Sequence, residues 1–189
     1  VMSAPYSPAP DTRETRCVPV PWAPETARFI TGLHITPGQR SAVRSVRVFA
    51  AASARGTQLQ QLDDTSFETG YACPGPPVWP IASGDTVGTE MADDVRWIAT
   101  WLAGDGTLRM PESAGVLVRP EAIMILQIDY DTRAGEAGPD LTRVEVEVAE
   151  SVPFPIVMVP LTDLAWLNGQ GLALIPVSYT HLRAHETLT

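Results

Sequence analysis

Alternation of apolar and polar residues predicts β-strands along most of the chain. In "TRVEVEVAE", Val144, Val146 and Val148 face one way and charged residues face the other. "RFITGLHITPG" alternates similarly, with Phe29, Thr31, Leu33 and Ile35 on one face, and stops at a Pro-Gly turn. "AVRSVRVFAAA", "AGVLVRP" and "PIVMVPL" are further strand candidates. Many short strands separated by turns indicate an all-β sandwich or barrel.

The strand "AIMILQIDYDT" carries two acids on one face. Asp129 and Asp131 occupy alternate positions, where neighbouring carboxylates should repel each other. The simplest interpretation is a strand end that runs into solvent. The opposite face is apolar and is predicted to face the core; it consists of Met124, Leu126, Ile128 and Tyr130.

Two segments are harder to assign. "DDTSFETGYACPGPPVWP" is predicted to be a turn-rich loop, with Asp63 and Asp64 as solvated turn acids. "EMADDVRWIATWLAG" has apolar residues at helical spacing, yet it is short and flanked by aromatics, so its type stays open. Its two tryptophans, Trp97 and Trp101, are predicted to be core or sheet-face residues, and Asp93 and Asp94 are predicted to be solvated turn acids.

Composition narrows the classes of protein. The chain has 189 residues, is 44% hydrophobic and carries a net charge of −9, and all 13 of its basic residues are Arg. The acidic balance argues against a nucleic-acid partner, because nucleic acids select basic surfaces. No apolar run approaches the length of a membrane span, so we predict none.

The two cysteines limit the metal and redox chemistry that this sequence allows. Cys17 and Cys73 lie 56 positions apart and belong to no CxxC or CxxH cluster, which argues against a zinc site. They form either a long-range disulfide in an exported protein or two unpaired buried thiols. No signal peptide is visible, and the sequence begins at Val1, so we expect any such peptide to lie outside it.

The last residues differ from the rest of the chain. "VSYTHLRAHET", residues 177–187, resembles the translation of a transposase-type sequencing adapter, so residues 177–189 are interpreted as a non-native tail. We expect the native sequence to be cut off near Pro176. The alternative is that His181 and His185, spaced i,i+4, form a metal pair on a helix. If the tail is non-native, His34 is the one native histidine. Its polar position on its strand predicts a solvated surface role.

Several segments, taken in order, resemble the copper type II, ascorbate-dependent monooxygenases, the relatives of peptidylglycine α-hydroxylating and dopamine β-monooxygenase. "DTRETRCVPVPWAPETARFITGLHITPG" resembles the family's opening, and "AVRSVRVF" the strand that carries a His-His pair. "GYACPGPP" resembles the loop whose cysteine pairs with the first one, and "WIATWLAGDGTLRMPESAGVLV" the Trp-containing strand. "MILQIDYDTRAGEAGPDLTRVEVEV" resembles the strand with the "LQVHY" signature. The resemblance spans residues 11–148.

The resemblance implies an antiparallel, jelly-roll-like β-sandwich with a Cys17–Cys73 disulfide in an oxidising, periplasmic or extracellular compartment. In the family this domain holds one copper through three imidazoles, and a second copper lies in the following domain. Residues 1–16 are rich in Pro, Ser and Thr, which predicts an extended leader or linker. The resemblance implies an N-terminal-like domain at 17–149 and the start of a truncated second domain at 150–176, followed by the tail at 177–189.

The family's copper ligands are replaced here. Carried over by position, the His-His pair falls on Arg44 and Ser45, and the third imidazole falls on Asp129. Arg cannot ligate a metal, Ser is a poor copper ligand, and Asp suits harder cations than Cu⁺. We therefore predict no bound copper and no catalytic residue in this fragment.

Three arrangements remain open for these positions. Arg44 and Asp129 are predicted to be neighbours joined by a charge-assisted hydrogen bond. Alternatively, both point into water. A Ca²⁺ site built from Asp129 and Asp131 is the third arrangement, although the sequence offers no further oxygen ligand.

Two functions follow from these observations. The first is an exported member of the copper monooxygenase family, an oxidoreductase on paired donors, whose copper site in this domain is lost. The second is a non-catalytic exported β-sandwich that serves in binding or as a scaffold. The partner in either case is an unidentified small-molecule substrate or reductant.

Overall fold

The computed structural model describes residues 2–73, 95–104, 106–135 and 137–157. Strands dominate these residues, and one helix interrupts them. In chain order the elements are β1 (Arg13–Pro21), β2 (Arg28–Thr36), β3 (Val43–Ala51), α1 (Ser53–Asp64), β4 (Tyr71–Ala72), β5 (Val95–Leu102), β6 (Leu108–Arg109), β7 (Ala114–Val118), β8 (Ile123–Asp131), β9 (Arg143–Ala149) and β10 (Phe154–Ile156).

The strands form two sheets. The first has the order β4-β1-β8-β3-β5, and the second has the order β10-β7-β2-β6, with β9 also paired to β2. The strand pairs are antiparallel, except that β10 runs parallel to β7. The predicted all-β, sandwich-like fold is therefore confirmed.

The main core lies between the two sheets. Leu126 and Ile128 of β8 contribute to it from the first sheet, and Ile30 and Leu33 of β2 from the second, all of them completely or almost completely buried. The predicted core face of β8 is thereby confirmed. The structure also settles whether the segment "EMADDVRWIATWLAG" is a helix or a strand. Its described part forms the strand β5, and Trp101 packs into the main core.

A β-bulge changes the face assignment of β2. The register against β9 shifts between Ile30 and Gly32, so that Thr31 is the extra residue. Ile30, Leu33 and Ile35 all pack into the main core as a result. The strict alternation predicted for this strand, with Thr31 on the face of Leu33, is wrong because the bulge resets the phase.

One half of the outer face of the first sheet is covered by the helix. Leu59 of α1 packs with Ile125 of β8 and with the disulfide in a second apolar cluster. Gly56 brings the helix close to the sheet, since a Cβ there would lie 3.0 Å from Ile123. Helix α1 was not predicted from the sequence. The predicted turn-rich loop begins at Asp63 and overlaps the last turn of this helix.

The N-terminal segment is packed more firmly than a leader would be. Met2 and Tyr6 are buried in the main core, and Tyr6 forms a β-bridge with Asp140. Strand β1 begins at Arg13, so the boundary predicted after residue 16 falls inside a strand. Proline at several positions did indicate extended backbone here, but not its burial.

The C-terminal boundaries are only partly described. Strand β10, placed by the sequence at the start of a second domain, pairs with β7 of the second sheet. Residues 158–189, which include most of the predicted second-domain segment and the whole tail with His181 and His185, lie outside the described residues. Within the described part of the chain, no helix has the length and apolarity that a membrane crossing requires.

Candidate functional site

The other half of the outer face of the first sheet carries a polar cluster that the helix leaves open. Strand β8 runs between β1 and β3, and the register places both Thr15 of β1 and Ser45 of β3 opposite Asp129. We call this the outer-face cluster; its members are Thr15, Arg44, Ser45, Arg47, Gln127, Asp129, Asp131 and Arg133.

Asp129 is the centre of the cluster. Its carboxylate accepts hydrogen bonds from the Thr15 hydroxyl at 2.7 Å, from the Ser45 hydroxyl, and from the Arg47 guanidinium at 2.7 Å. Its side chain is 13% exposed. A carboxylate this sheltered needs donors to replace water, and the two neighbouring strands supply them.

Arg47 joins this centre to the disulfide. Its guanidinium donates to Gln127 Oε1 at 2.6 Å as well as to Asp129, so that both ends of the fork are held. The Gln127 amide in turn donates to the Cys73 carbonyl oxygen at 3.4 Å. The cluster therefore continues without interruption from the polar end of the outer face to the bridged cysteines.

Asp131 forms the second part of the cluster. Arg133 donates to it with two guanidinium nitrogens, at 2.9 and 2.7 Å, and Arg44 Nε lies 3.9 Å away. The hydrogen bonds from Arg133 hold the pKa of the Asp131 carboxyl well below its usual range, and the charge of Arg44 adds to this effect.

The predicted Arg44–Asp129 ion pair is wrong. The register of β3 against β8 shifts between Val43 and Ser45, and Arg44 is the extra residue of this bulge. Because the bulge displaces it along the strand, Arg44 reaches Asp131, and Asp129 pairs with Arg47 instead. Alternation alone could have identified Arg47, since it lies two residues from Ser45 on the same face.

These residues do not fit copper. The atoms at the three carried-over positions are a guanidinium, a hydroxyl and a carboxylate, and none is an imidazole. The proposed Ca²⁺ site from Asp129 and Asp131 fits no better, because arginine and hydroxyl donors already occupy the carboxylate oxygens. Among the described residues, no group of three or more His, Cys, Asp or Glu side chains could hold a metal.

The cysteines form the predicted disulfide. Cys17 and Cys73 are bonded, with their Cα atoms 5.8 Å apart, and both are completely buried. The bond connects β1 to the residue that follows β4 and lies beside the apolar half of the outer face. The alternative of two unpaired thiols is excluded.

The remaining predicted polar residues divide between surface and structure. His34 is exposed, with Nδ1 3.1 Å from the Thr107 hydroxyl, as predicted for a surface residue. Asp63 was predicted to be a solvated turn acid and is not one. It lies in the last turn of α1 and accepts the Gly70 backbone N–H at 2.6 Å, and partial burial raises the pKa of its carboxyl. Asp93 and Asp94 lie outside the described residues.

A second carboxylate site was missed altogether. Asp140 is completely buried and accepts from the Tyr130 hydroxyl, the Thr142 hydroxyl and the Gln39 backbone N–H, each at 2.8 Å. Burial raises the pKa of Tyr130, and the neighbouring Asp140 raises it further. The sequence gives little indication of this network, because Asp140 follows a Gly-Pro pair that resembles an ordinary exposed turn.

No protein-family model matches this sequence, and no curated protein matches it either.

Proposed function

We propose that this chain is an exported β-sandwich domain of the copper type II monooxygenase family that has lost its copper and serves in binding or as a scaffold. The proposal rests on the motif order in the sequence and on one structural observation: Ser45 and Asp129 are directly opposed on adjacent strands. In the family, the corresponding positions converge on one metal.

The bulge at Arg44 supports the same proposal. Adjacent residues on a regular strand point to opposite faces, so an adjacent pair of ligands needs a local irregularity to reach one metal. Here Arg44 approaches Asp131 and Ser45 bonds to Asp129, which places both side chains on the outer face. A strand that once carried two adjacent ligands accounts for this bulge.

Electron transfer through this domain is not part of the proposal. Cycling between Cu⁺ and Cu²⁺ needs ligands that both oxidation states accept, and the hydrogen-bonded oxygens and guanidiniums of the outer-face cluster are not such ligands. Two-copper hydroxylation therefore could not run through this half. The buried disulfide favours a periplasmic or extracellular location.

The test is to restore the missing imidazoles. The full chain is prepared with His181→Ala and His185→Ala, so that the tail contributes no ligand, and then with Arg44→His, Ser45→His and Asp129→His added. We expect the variant with only the two tail substitutions to retain no copper after dialysis. The variant that also carries the three new histidines should retain copper stoichiometrically as Cu⁺. Metal analysis after dialysis measures both.

A matched control keeps the number of imidazoles and changes their placement. In it, Glu121→His replaces Asp129→His; Glu121 is exposed in the turn before β8, away from Ser45. This protein should lose its copper on dialysis. Equal retention by both triple variants, or no retention by either while circular dichroism reports a folded sandwich, would contradict the proposal.

A further inference from the structure

The outer-face cluster presents its cations to solvent and shelters its anions. The side chains of Asp129 and Asp131 are 13% and 11% exposed, whereas those of Arg44, Arg47 and Arg133 are 50%, 39% and 57% exposed. A solute approaching this face therefore meets guanidinium groups first. The whole chain, by contrast, carries a net charge of −9.

Two of these guanidiniums are held in place by the sheet. Arg47 is fixed between Gln127 and Asp129, and Arg133 is fixed by its two bonds to Asp131. Ordering an arginine side chain normally costs conformational entropy when a ligand binds. Here the protein itself has ordered them, so part of that cost is already met before an anion arrives.

Arg44 is held more loosely than its neighbours. Its one ion-pair contact with the described residues, to Asp131 at 3.9 Å, is at the outer limit for such a pair, so its donors remain available to a ligand. Arg13 of β1 is exposed and lies opposite Asp131 in the register, and it forms no ion pair with any described residue. Two further cations thus border the fixed pair.

From this arrangement we infer that the outer-face cluster is a binding site for a small anion carrying two or more carboxylate or phosphate groups, with Arg44 as its capturing residue. Carboxylates and phosphates each present two oxygens that match the guanidinium fork in geometry and charge. More than one charged group is needed because the buried aspartates already compensate part of the positive charge. This inference goes beyond the proposed function and depends on the arginines, whatever the ancestry of the fold.

The test is a calorimetric titration of the full chain at pH 7 with citrate, pyrophosphate and acetate, at constant ionic strength set with sodium chloride. We expect saturable binding of citrate or pyrophosphate, accompanied by a rise in melting temperature, and no saturable binding of acetate, which has a single carboxylate. A preference for citrate identifies polycarboxylates as the ligand class, and a preference for pyrophosphate identifies phosphorylated compounds.

A pair of charge-matched variants decides the site. Arg44→Gln should bind the preferred anion about tenfold more weakly, the loss expected for one charge-assisted hydrogen bond. Arg109→Gln removes an even more exposed arginine from the second sheet and should leave the dissociation constant unchanged. Equal affinity in the two variants, or no saturable binding by the unsubstituted chain, would overturn the inference. Neither result bears on copper retention by the histidine variants.

Discussion

Three consecutive residues of β8, from Asp129 to Asp131, belong to two regions: the outer-face cluster and the network around Asp140. The two regions stabilise carboxylates by different means. Asp129 and Asp131 point to the outer face, where arginines compensate their charge. Tyr130, between them, points inward and donates to the completely buried Asp140. One region is partly solvated and rich in cations, and the other is dry and bonded to the carboxylate through neutral groups.

The difference shows which carboxylate the fold depends on. The donors to Asp140 come from β8, from the loop before β3 and from the segment before β9, and its backbone pairs with Tyr6 of the N-terminal segment. Water cannot replace these bonds at a completely buried site. The outer-face cluster bonds residues of strands that are already paired through their backbones, and solvent reaches its arginines.

Removing the buried carboxylate should have the largest effect. Asp140→Ala leaves the Tyr130 hydroxyl and the Gln39 N–H without their acceptor in a dry environment. We expect the free energy of unfolding to fall by about 3 kcal/mol, because each buried unsatisfied donor costs a substantial fraction of that value. Urea denaturation followed by circular dichroism measures the change.

A second variant distinguishes the loss of this hydrogen-bond network from a general disruption of core packing. Tyr130→Phe removes one donor and keeps the ring in the core, so the loss should be about 1 kcal/mol. A loss from Asp140→Ala no larger than that from Tyr130→Phe would show that the network contributes little beyond one hydrogen bond, and the contrast between the two regions would fail.

Removing the outer carboxylate should have a smaller effect. Asp129→Ala deprives Thr15, Ser45 and Arg47 of their shared acceptor, but Arg47 is 39% exposed and can turn to water. We expect a loss of about 1 kcal/mol, within the range for partly exposed charged pairs and their hydrogen bonds. The same urea denaturation applies, and a loss equal to that of Asp140→Ala would refute the ranking.

Period-two patterning was enough to predict most of the fold. The alternation of "AIMILQIDYDT" placed Leu126 and Ile128 in the core and Asp129 and Asp131 outside it, because side-chain direction in a paired strand is set by the backbone alone. The disulfide followed from a resemblance to a known family. The face assignment succeeds because one local rule fixes it, whereas the disulfide joins residues 56 positions apart.

The failures share a physical cause. The bulges at Thr31 and Arg44 depend on how two strands meet, which neither strand reveals alone. Asp140 is buried because three other segments of the chain surround it, although its own neighbours in sequence resemble a turn. The pairing of Asp129 with Arg47 in place of Arg44 results from such a bulge, so the sequence did not predict the contacts of the outer-face cluster.

The smallest effect concerns the pH dependence of stability and separates Asp131 from ordinary surface acids. The pKa of Asp131 is lowered by hydrogen bonds from Arg133, so in the unfolded chain, where the pKa returns to about 3.9, this group binds protons more readily. The stability that Asp131 contributes is therefore complete above about pH 4 to 5 and disappears as the pH falls through the lower folded-state value. Asp131→Asn should remove that contribution.

The melting temperatures of the unsubstituted chain and of Asp131→Asn should consequently differ most near neutral pH and converge in strong acid. Glu112→Gln, which removes an exposed acid from the turn before β7, reports the general effect of losing one negative charge. If the difference for Asp131→Asn stays constant with pH, or follows that of Glu112→Gln, the arginines do not stabilise the ionised carboxylate. The outer-face cluster would then be a set of independent surface charges, and its contrast with the Asp140 network would be one of burial alone.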